Sequence, residues 1–200
     1  MGQELEWKRA LPDCEAAERI LADPDVTRLA LEQIRTYRMG STYYDTPERT
    51  LGRGWITLRC RMENDRRVYC VKAPLPDGPK ELHSEWETEA EDLAAALELL
   101  TRQGAPSELL ALRGQLAPVC GAAFTRRAVL LGFADGSRAE LALDLGELRG
   151  KTSTQPLAEL ELEQKQGDFA QTLALLAALS ARYGLLSQEK SKYARASALD

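Results

Sequence analysis

The sequence predicts an α+β fold in which one mostly antiparallel sheet closes into a barrel and helices pack on its outside. Three observations predict it. First, charged residues recur at every second position in stretch after stretch. Glu4, Glu6 and Lys8 alternate with Leu5 and Trp7, Arg59 and Arg61 with Leu58, Cys60 and Met62, and Glu159, Glu161 and Glu163 with Leu160 and Leu162. Glu85 and Glu87 flank Trp86, and Glu140 and Asp144 share parity opposite Leu141, Leu143 and Leu145. On a strand this spacing gathers the charges on one face and the apolar residues on the other. Second, the signs segregate by strand, whereas a solvent-facing sheet usually mixes them with Ser and Thr. Third, Ala- and Leu-rich helices supply apolar faces that need covering. Barrel closure sets Leu and Trp against those helices and turns the charges into a lumen.

Each element follows from local signals. The first strand runs from about Glu4 to Ala10. "PDCEAAERILADPDVT" reads as a short helix with Asp13 as N-cap, because Ala17, Ile20 and Leu21 recur at helical spacing. "TYRMGSTYYDTPERTLGRG" is turn-rich and carries a short strand around Thr42–Tyr44. "WITLRCRMEN" and "VYCVKAPL" form a hairpin about "DRR", "PDGPKE" is loop, and "LHSEWETEA" is strand. From Glu91 to Leu116 two helices follow, broken at Gly104–Pro106. "AAFTRRAVLLGF" and "RAELALDLGEL" pair through "ADGS", and "AELELEQK" is a strand ending at Gly167. A helix from Asp168 as N-cap to Gly184 as C-cap and a basic tail, "KSKYARAS", complete the chain. No linker or long repeat divides it, so residues 1–200 are expected to form a single domain.

Composition bounds the function. The chain has 200 residues, 44% hydrophobic and 28% charged, enough for one sizeable core. A net charge of −5 argues against a nucleic-acid partner, although a local basic site for a small anion remains open. Cys14, Cys60, Cys70 and Cys120 lack C-x-x-C spacing and read as reduced thiols. No basic-then-apolar leader is visible and no apolar run approaches the roughly 20 residues that span a bilayer, so a cytoplasmic location without a membrane partner is expected. His83 is the only histidine, and neither a Walker-type loop nor G-x-G-x-x-G is present. Any catalysis must therefore use Glu, Asp, Lys, Arg and Tyr. Trp7, Trp55 and Trp86 read as strand–helix packing.

A lumen lined with both carboxylates and cations is costly unless something fills it, since a buried unpaired charge costs several kcal/mol. A ligand with many anionic oxygens plus a divalent cation suits it. Arg and Lys grip phosphates, and clustered carboxylates hold Mg²⁺ or Mn²⁺.

At "ELEWK" the sequence resembles the CYTH superfamily, the triphosphate tunnel metalloenzymes, whose signature is E-x-E-x-K. The resemblance continues in order through "YYDTPERTL", "LRCR", "VKAP", "SEWE", "FTRR", "ALDLGEL", "ELELEQKQGD" and "SKYAR". It implies an eight-stranded antiparallel β tunnel and metal-dependent triphosphate hydrolysis. By this resemblance Glu4, Glu6, Glu159 and Glu161 would be metal ligands for Mg²⁺ or Mn²⁺. Lys8, Arg59, Arg61, Lys72, Arg127 and Lys192 would bind phosphate, and Glu85, Glu87, Asp144 and Glu163 would line the acidic side. Lys8 and Tyr43 would be the catalytic candidates. His83 stands where many relatives carry Arg. Of the adjacent Arg126 and Arg127 only one can face inward, and register favours Arg127; Tyr43 and Tyr44 pose the same choice.

The expected activity is metal-dependent hydrolysis of inorganic tripolyphosphate by a monomer or homodimer, with a small-molecule triphosphate as the only partner. A class IV-type adenylyl cyclase, a thiamine triphosphatase and a non-catalytic triphosphate-binding module are the alternatives. Tripolyphosphate is favoured because the tryptophans fall away from the lumen, or in the case of Trp55 at a strand edge, leaving a wall of carboxylates and cations with no surface for a ring.

Overall fold

The structure, a computed structural model, describes residues 5–74 and 83–199. Glu4 lies outside the described residues, as do segment 75–82, which holds the "PDGPKE" loop, and the side chain of His83.

Strand β1 (Leu5–Ala10) alternates as its sequence requires. Glu6 and Lys8 share one face, with Lys8 Nζ 3.1 Å from Glu6 Oε2. Trp7 points the other way, its ring centroid 5.9 Å from that of Phe169. The segment read as one helix is two, α1 (Glu15–Leu21) and α2 (Pro24–Leu29). Pro24 lacks the N–H that would continue α1, and Asp23 caps α2 by accepting from Asp25 N at 2.8 Å. Asp13 accepts from Ala16 N at 2.6 Å, as an N-cap should.

Strand β2 (Arg35–Asp45) is much longer than the short strand expected near Thr42. Its outward residues include Thr36, Arg38 and Thr42, which hide the alternation, and pairing with β6 along its length holds it extended. After α3 (Thr50–Arg53), β3 (Thr57–Glu63) and β4 (Arg66–Pro74) form the expected hairpin, with β5 (His83–Glu89) beside β4. Helices α4 (Leu93–Arg102) and α5 (Glu108–Ala111) follow. The long strands β6 (Ala117–Gly132), β7 (Arg138–Arg149) and β8 (Thr154–Gln166) come next. Helix α6 (Ala170–Tyr183) ends at Gly184, whose φ of 67° is the left-handed conformation glycine tolerates. A two-residue β9 (Leu186–Ser187) and α7 (Lys192–Ala196) follow, so the basic tail is a helix, with Ser191 accepting from Ala194 N at 3.1 Å.

The strands form one antiparallel sheet in the order β5-β4-β3-β2-β6-β7-β8-β1-β9, tunnel-like, with α1, α4, α5 and α6 packed outside and α7, against expectation, on the inner face. Among the described residues its strands number nine where eight were expected, the addition being β9. Its edges β5 and β9 share no backbone pairing among the described residues, so hydrogen bonds do not close the barrel. Two apolar clusters lie on the outer face. Leu131, Leu141, Leu143, Leu160 and Leu162 pack under Ile20 of α1 and Leu176 and Leu179 of α6. Leu58 and Val71 pack under Leu97 and Leu100 of α4 and Leu109 of α5. Each such buried leucine stabilises the fold by about 1.5–3 kcal/mol. Trp7 and Trp86 join these clusters, but Trp55 does not. It is 69% exposed, with a left-handed φ of 59° in the turn before β3. No helix of the described residues is long and apolar enough to cross a membrane.

Candidate active site

The inner face carries the charges. Register places Asp144 of β7 beside Glu159 of β8, and Glu161 and Glu163 of β8 beside Lys8 and Glu6 of β1. Asp144 and Glu159 are 0% exposed and Glu161 is 8% exposed, and each offers a carboxylate oxygen within 4.8 Å of the others. Three cations meet them. Arg126 of β6 grips Asp144 with two parallel bonds, Nε to Oδ1 at 2.8 Å and Nη2 to Oδ2 at 2.7 Å, and also donates to Glu161. Lys192 of α7 lies 2.7 Å from Asp144 Oδ2 and 2.7 Å from Glu161 Oε1, and contacts Glu159 as well. Arg195 donates to Glu159. Burial alone would raise the Glu161 carboxyl, but Lys192 and then Arg126 hold it well below the usual carboxylate range. Burial pushes the Glu159 carboxyl up against the pull of Lys192. Burial would favour neutral Lys192, yet Glu161, Asp144 and Glu159 together keep its ammonium charged.

A second group stands on β3–β5. Glu87 Oε1 lies 3.4 Å from Arg61 Nη2 and 3.8 Å from Arg59 Nη2, and Glu85 Oε2 lies 3.5 Å from Lys72 Nζ. Burial pushes the Cys70 thiol up to about 12, with Glu85 adding to the rise, so it donates to Glu85 Oε1 at 2.8 Å. Cys70, Glu85 and Glu87 also bring ligand atoms within 4.8 Å of one another, but Arg59 and Lys72 already face them and the thiol keeps its proton. Glu85 and Glu87 act as counter-charges to the cations. Arg59 Nε and Arg61 Nε are buried and find no hydrogen-bond partner among the described residues. Orphaned buried donors are costly unless a ligand accepts from them.

Between the two groups lies Tyr43, in electrostatic reach of Arg59 on one side and of Lys192 and Glu161 on the other. Tyr43 faces inward and is buried, its ring centroid 5.2 Å from that of Tyr193. Burial pushes its phenol up, so it retains its proton at neutral pH. Tyr44 faces the outer cluster under α4. Tyr43 belongs to a third apolar cluster with Met39, Phe124, Leu148 and Leu157, covered by Tyr193 and Ala196 of α7. The expectation of an inner face without aromatic or apolar surface is therefore wrong. Phe124 and Tyr43 are there, although buried. Gly146 permits this packing, since a Cβ there would come within 2.2 Å of the Ala123 carbonyl oxygen and 2.5 Å of Phe124 Cα.

Helix α7 is fixed from several sides. Asp45, in the "YYDTPERTL" stretch, accepts from Thr46, Leu51 and Gly52 N at 2.7, 2.8 and 2.9 Å, and its Oδ2 lies 3.4 Å from the Tyr193 hydroxyl. Ser153 Oγ donates to Leu199 O at 2.8 Å.

One residue assignment needs correcting. Arg127, expected to face the lumen, pairs with Leu143 in register and reaches Glu18 of α1 on the outer face. Arg126 takes the inward place opposite Asp144. Arg126 is the alternative that the sequence ranks below Arg127, and Arg195 belongs to the "SKYAR" stretch but is assigned no role by the resemblance. A β6–β7 hairpin centred on Asp135 sets Arg126 against Asp144, so turn length was the signal that could have found the first. Lys8, Glu6, Glu159, Glu161, Asp144 and Lys192 do converge; Arg59, Arg61, Lys72, Glu85 and Glu87 form the second group; Glu163 lies at the margin of the first, 2.6 Å from Lys165 Nζ. Three mutually close carboxylates are hard oxygen donors of the kind Mg²⁺ and Mn²⁺ take, and the donor set fits such an ion.

The family model for the CYTH domain matches residues 2–197. Among solved structures, a Hippeastrum protein designated an adenylyl cyclase and described as having a dominant triphosphatase activity aligns with a TM-score of 0.62 at 18% identity, covering 96% of this chain and 94% of that one. A Vibrio parahaemolyticus protein assigned as an adenylate cyclase gives 0.57 at 18% identity, with 94% of each chain covered. A Pyrococcus horikoshii protein gives 0.57 at 18% identity, covering 96% and 97%. At these identities the likeness is one of fold.

Proposed function

Since the chain belongs to the CYTH family, we propose that it is a metal-dependent hydrolase of triphosphates, acting best on inorganic tripolyphosphate. The observation that carries this reading is the pair of buried, partnerless Nε–H groups of Arg59 and Arg61 on the same face as the carboxylate cluster. Phosphate oxygens would satisfy those donors, with Lys72 adjoining them. Asp144, Glu159, Glu161 and Glu6 would hold Mg²⁺ or Mn²⁺. When bound there, the ion would offset charge on the transferred phosphoryl group and acidify a water. The chain's own part is positioning and electrostatics. Arg59 and Arg61 orient one end of the polyphosphate, Arg126 holds Asp144 and Glu161 in place, and Tyr43 keeps its proton between the two charged groups. Lys8, beside Glu6 and across from Glu161, sets the charge next to the carboxylates.

Preference for tripolyphosphate is supported by the covering of the inner aromatic residues. Phe124 and Tyr43 are sealed under α7, so a base or thiazole ring gains little, whereas each added phosphate meets another cation. A phosphate-release panel with Mg²⁺ and Mn²⁺ tests this. Tripolyphosphate should exceed ATP and thiamine triphosphate in kcat/KM by about tenfold, roughly 1.4 kcal/mol of differential transition-state binding. Cyclic AMP formed from ATP, or tight binding with no hydrolysis of any member, would overturn the hydrolase reading. A higher kcat/KM for an organic triphosphate would overturn the substrate.

A further inference from the structure

The carboxylates suited to a divalent cation already share one cation. Lys192 Nζ touches all three, whereas Arg126 touches Asp144 and Glu161, and Arg195 touches Glu159 alone. Three negative charges thus face three positive ones. The oxygens lie within 4.8 Å of one another, and Mg²⁺ binds oxygen at about 2.0–2.1 Å. An ion shared by these oxygens would occupy the space of the Lys192 ammonium.

We infer that Lys192 is the resident counter-ion of this cluster, that it and a divalent cation exclude one another there, and that an arriving triphosphate permits the exchange by accepting the displaced ammonium. The inference rests on the triphosphate reading above. It goes beyond that reading by making a phosphate-binding residue the competitor of the metal. The side chain is suited to the exchange. Arg126 is locked by its two-bond grip on Asp144, but Lys192 carries a point charge on a flexible four-carbon stem. Its helix need not move, because Tyr193, Ser153 and the Ser191 cap anchor α7 independently. The Phe124 ring, with its centroid 5.1 Å from Nζ, gives the ammonium a further surface beside the cluster. Metal alone must then expel Lys192 with nowhere to bind it, whereas metal and triphosphate together raise each other's affinity, as linkage requires.

Mn²⁺ titration followed by electron paramagnetic resonance tests this on the full chain without phosphate. Lys192→Met should bind Mn²⁺ more tightly than the natural sequence by more than about threefold. A smaller gain, or a loss, overturns the competition. Because Lys192→Met leaves the carboxylates undercompensated, a second measurement uses the unaltered protein: ¹⁵N NMR of the Lys192 ammonium. Mg²⁺ alone should leave that resonance in place, and Mg²⁺ with tripolyphosphate should shift it. A shift with Mg²⁺ alone overturns the inference. Neither readout needs turnover, so a chain that behaves as described yet hydrolyses no triphosphate would refute the hydrolase reading and leave the exchange standing.

Discussion

Arg126 and Arg127 are chemically identical neighbours separated by one residue of strand period. The first holds two site carboxylates from inside, and the second meets Glu18 at the surface. Arg126→Gln should lower kcat/KM by about 100-fold, about 2.7 kcal/mol of transition-state stabilisation. Arg127→Gln, which loses only an exposed pair, should stay within about twofold. Steady-state kinetics on both variants decides it, and a larger loss in Arg127→Gln than in Arg126→Gln would mean that the two side chains have been assigned to the wrong faces. The sequence made the acidic residues legible because alternation within one strand fixes their shared face. It left the arginine ambiguous because parity is relative: only pairing with β7 says which parity of β6 is inside. Arg195 was less accessible still, since its partner Glu159 is 36 positions away.

Among the elements, strands with an apolar outer face were readable, and β2 was largely hidden behind its threonines and arginines. The split between α1 and α2 was visible in Pro24, but its purpose is tertiary. Asp23 caps α2 and also accepts from the Tyr183 hydroxyl of α6 at 2.8 Å and from Arg182. Burial alone would raise the Asp23 carboxyl; Arg182, Tyr183 and the Asp25 N–H outweigh it and lower its pKa from the ordinary 3.8. An acid with a lowered folded pKa stabilises fully above its unfolded value and loses that contribution as pH falls through the folded one. Asn can still cap a helix, so Asp23→Asn isolates the charge. It should cost about 1–2 kcal/mol near neutrality, modest because Arg182 is half exposed. The difference should shrink as pH drops below 3.8. Urea unfolding of both proteins at neutral pH and in acid measures it, and a pH-independent difference would rule out the ion pair as its source.

At the scale of the molecule, the sheet, the outside helices and the inward charges were all present in the spacing of the sequence. Two things were not: the absence, among the described residues, of backbone pairing between β5 and β9, and the use of α7 to cover an apolar floor inside. Both depend on contacts between distant segments that no local pattern encodes. The two faces should fail differently. Leu160→Ala removes a wholly buried side chain under α6 and should cost about 2–5 kcal/mol of stability, with kcat/KM of the folded fraction unchanged. Glu161→Gln should lower kcat/KM by orders of magnitude, and lower Tm as well, because it leaves Lys192 and Arg126 short of a counter-charge. Calorimetry and kinetics on the pair check this; an unaltered Tm in Leu160→Ala would contradict the packing described.

The alternation along β8 also has a consequence for heredity. Successive codons from 157 to 163 answer to different selective pressures, one set to the chemistry of whatever binds inside and the other to the helices that insulate the sheet. A lineage can therefore drift in substrate by changing every second codon while its folding determinants stay untouched. Random libraries of this strand should separate into two phenotypes with a period of two, whereas a single inserted codon would exchange the two sets and abolish both.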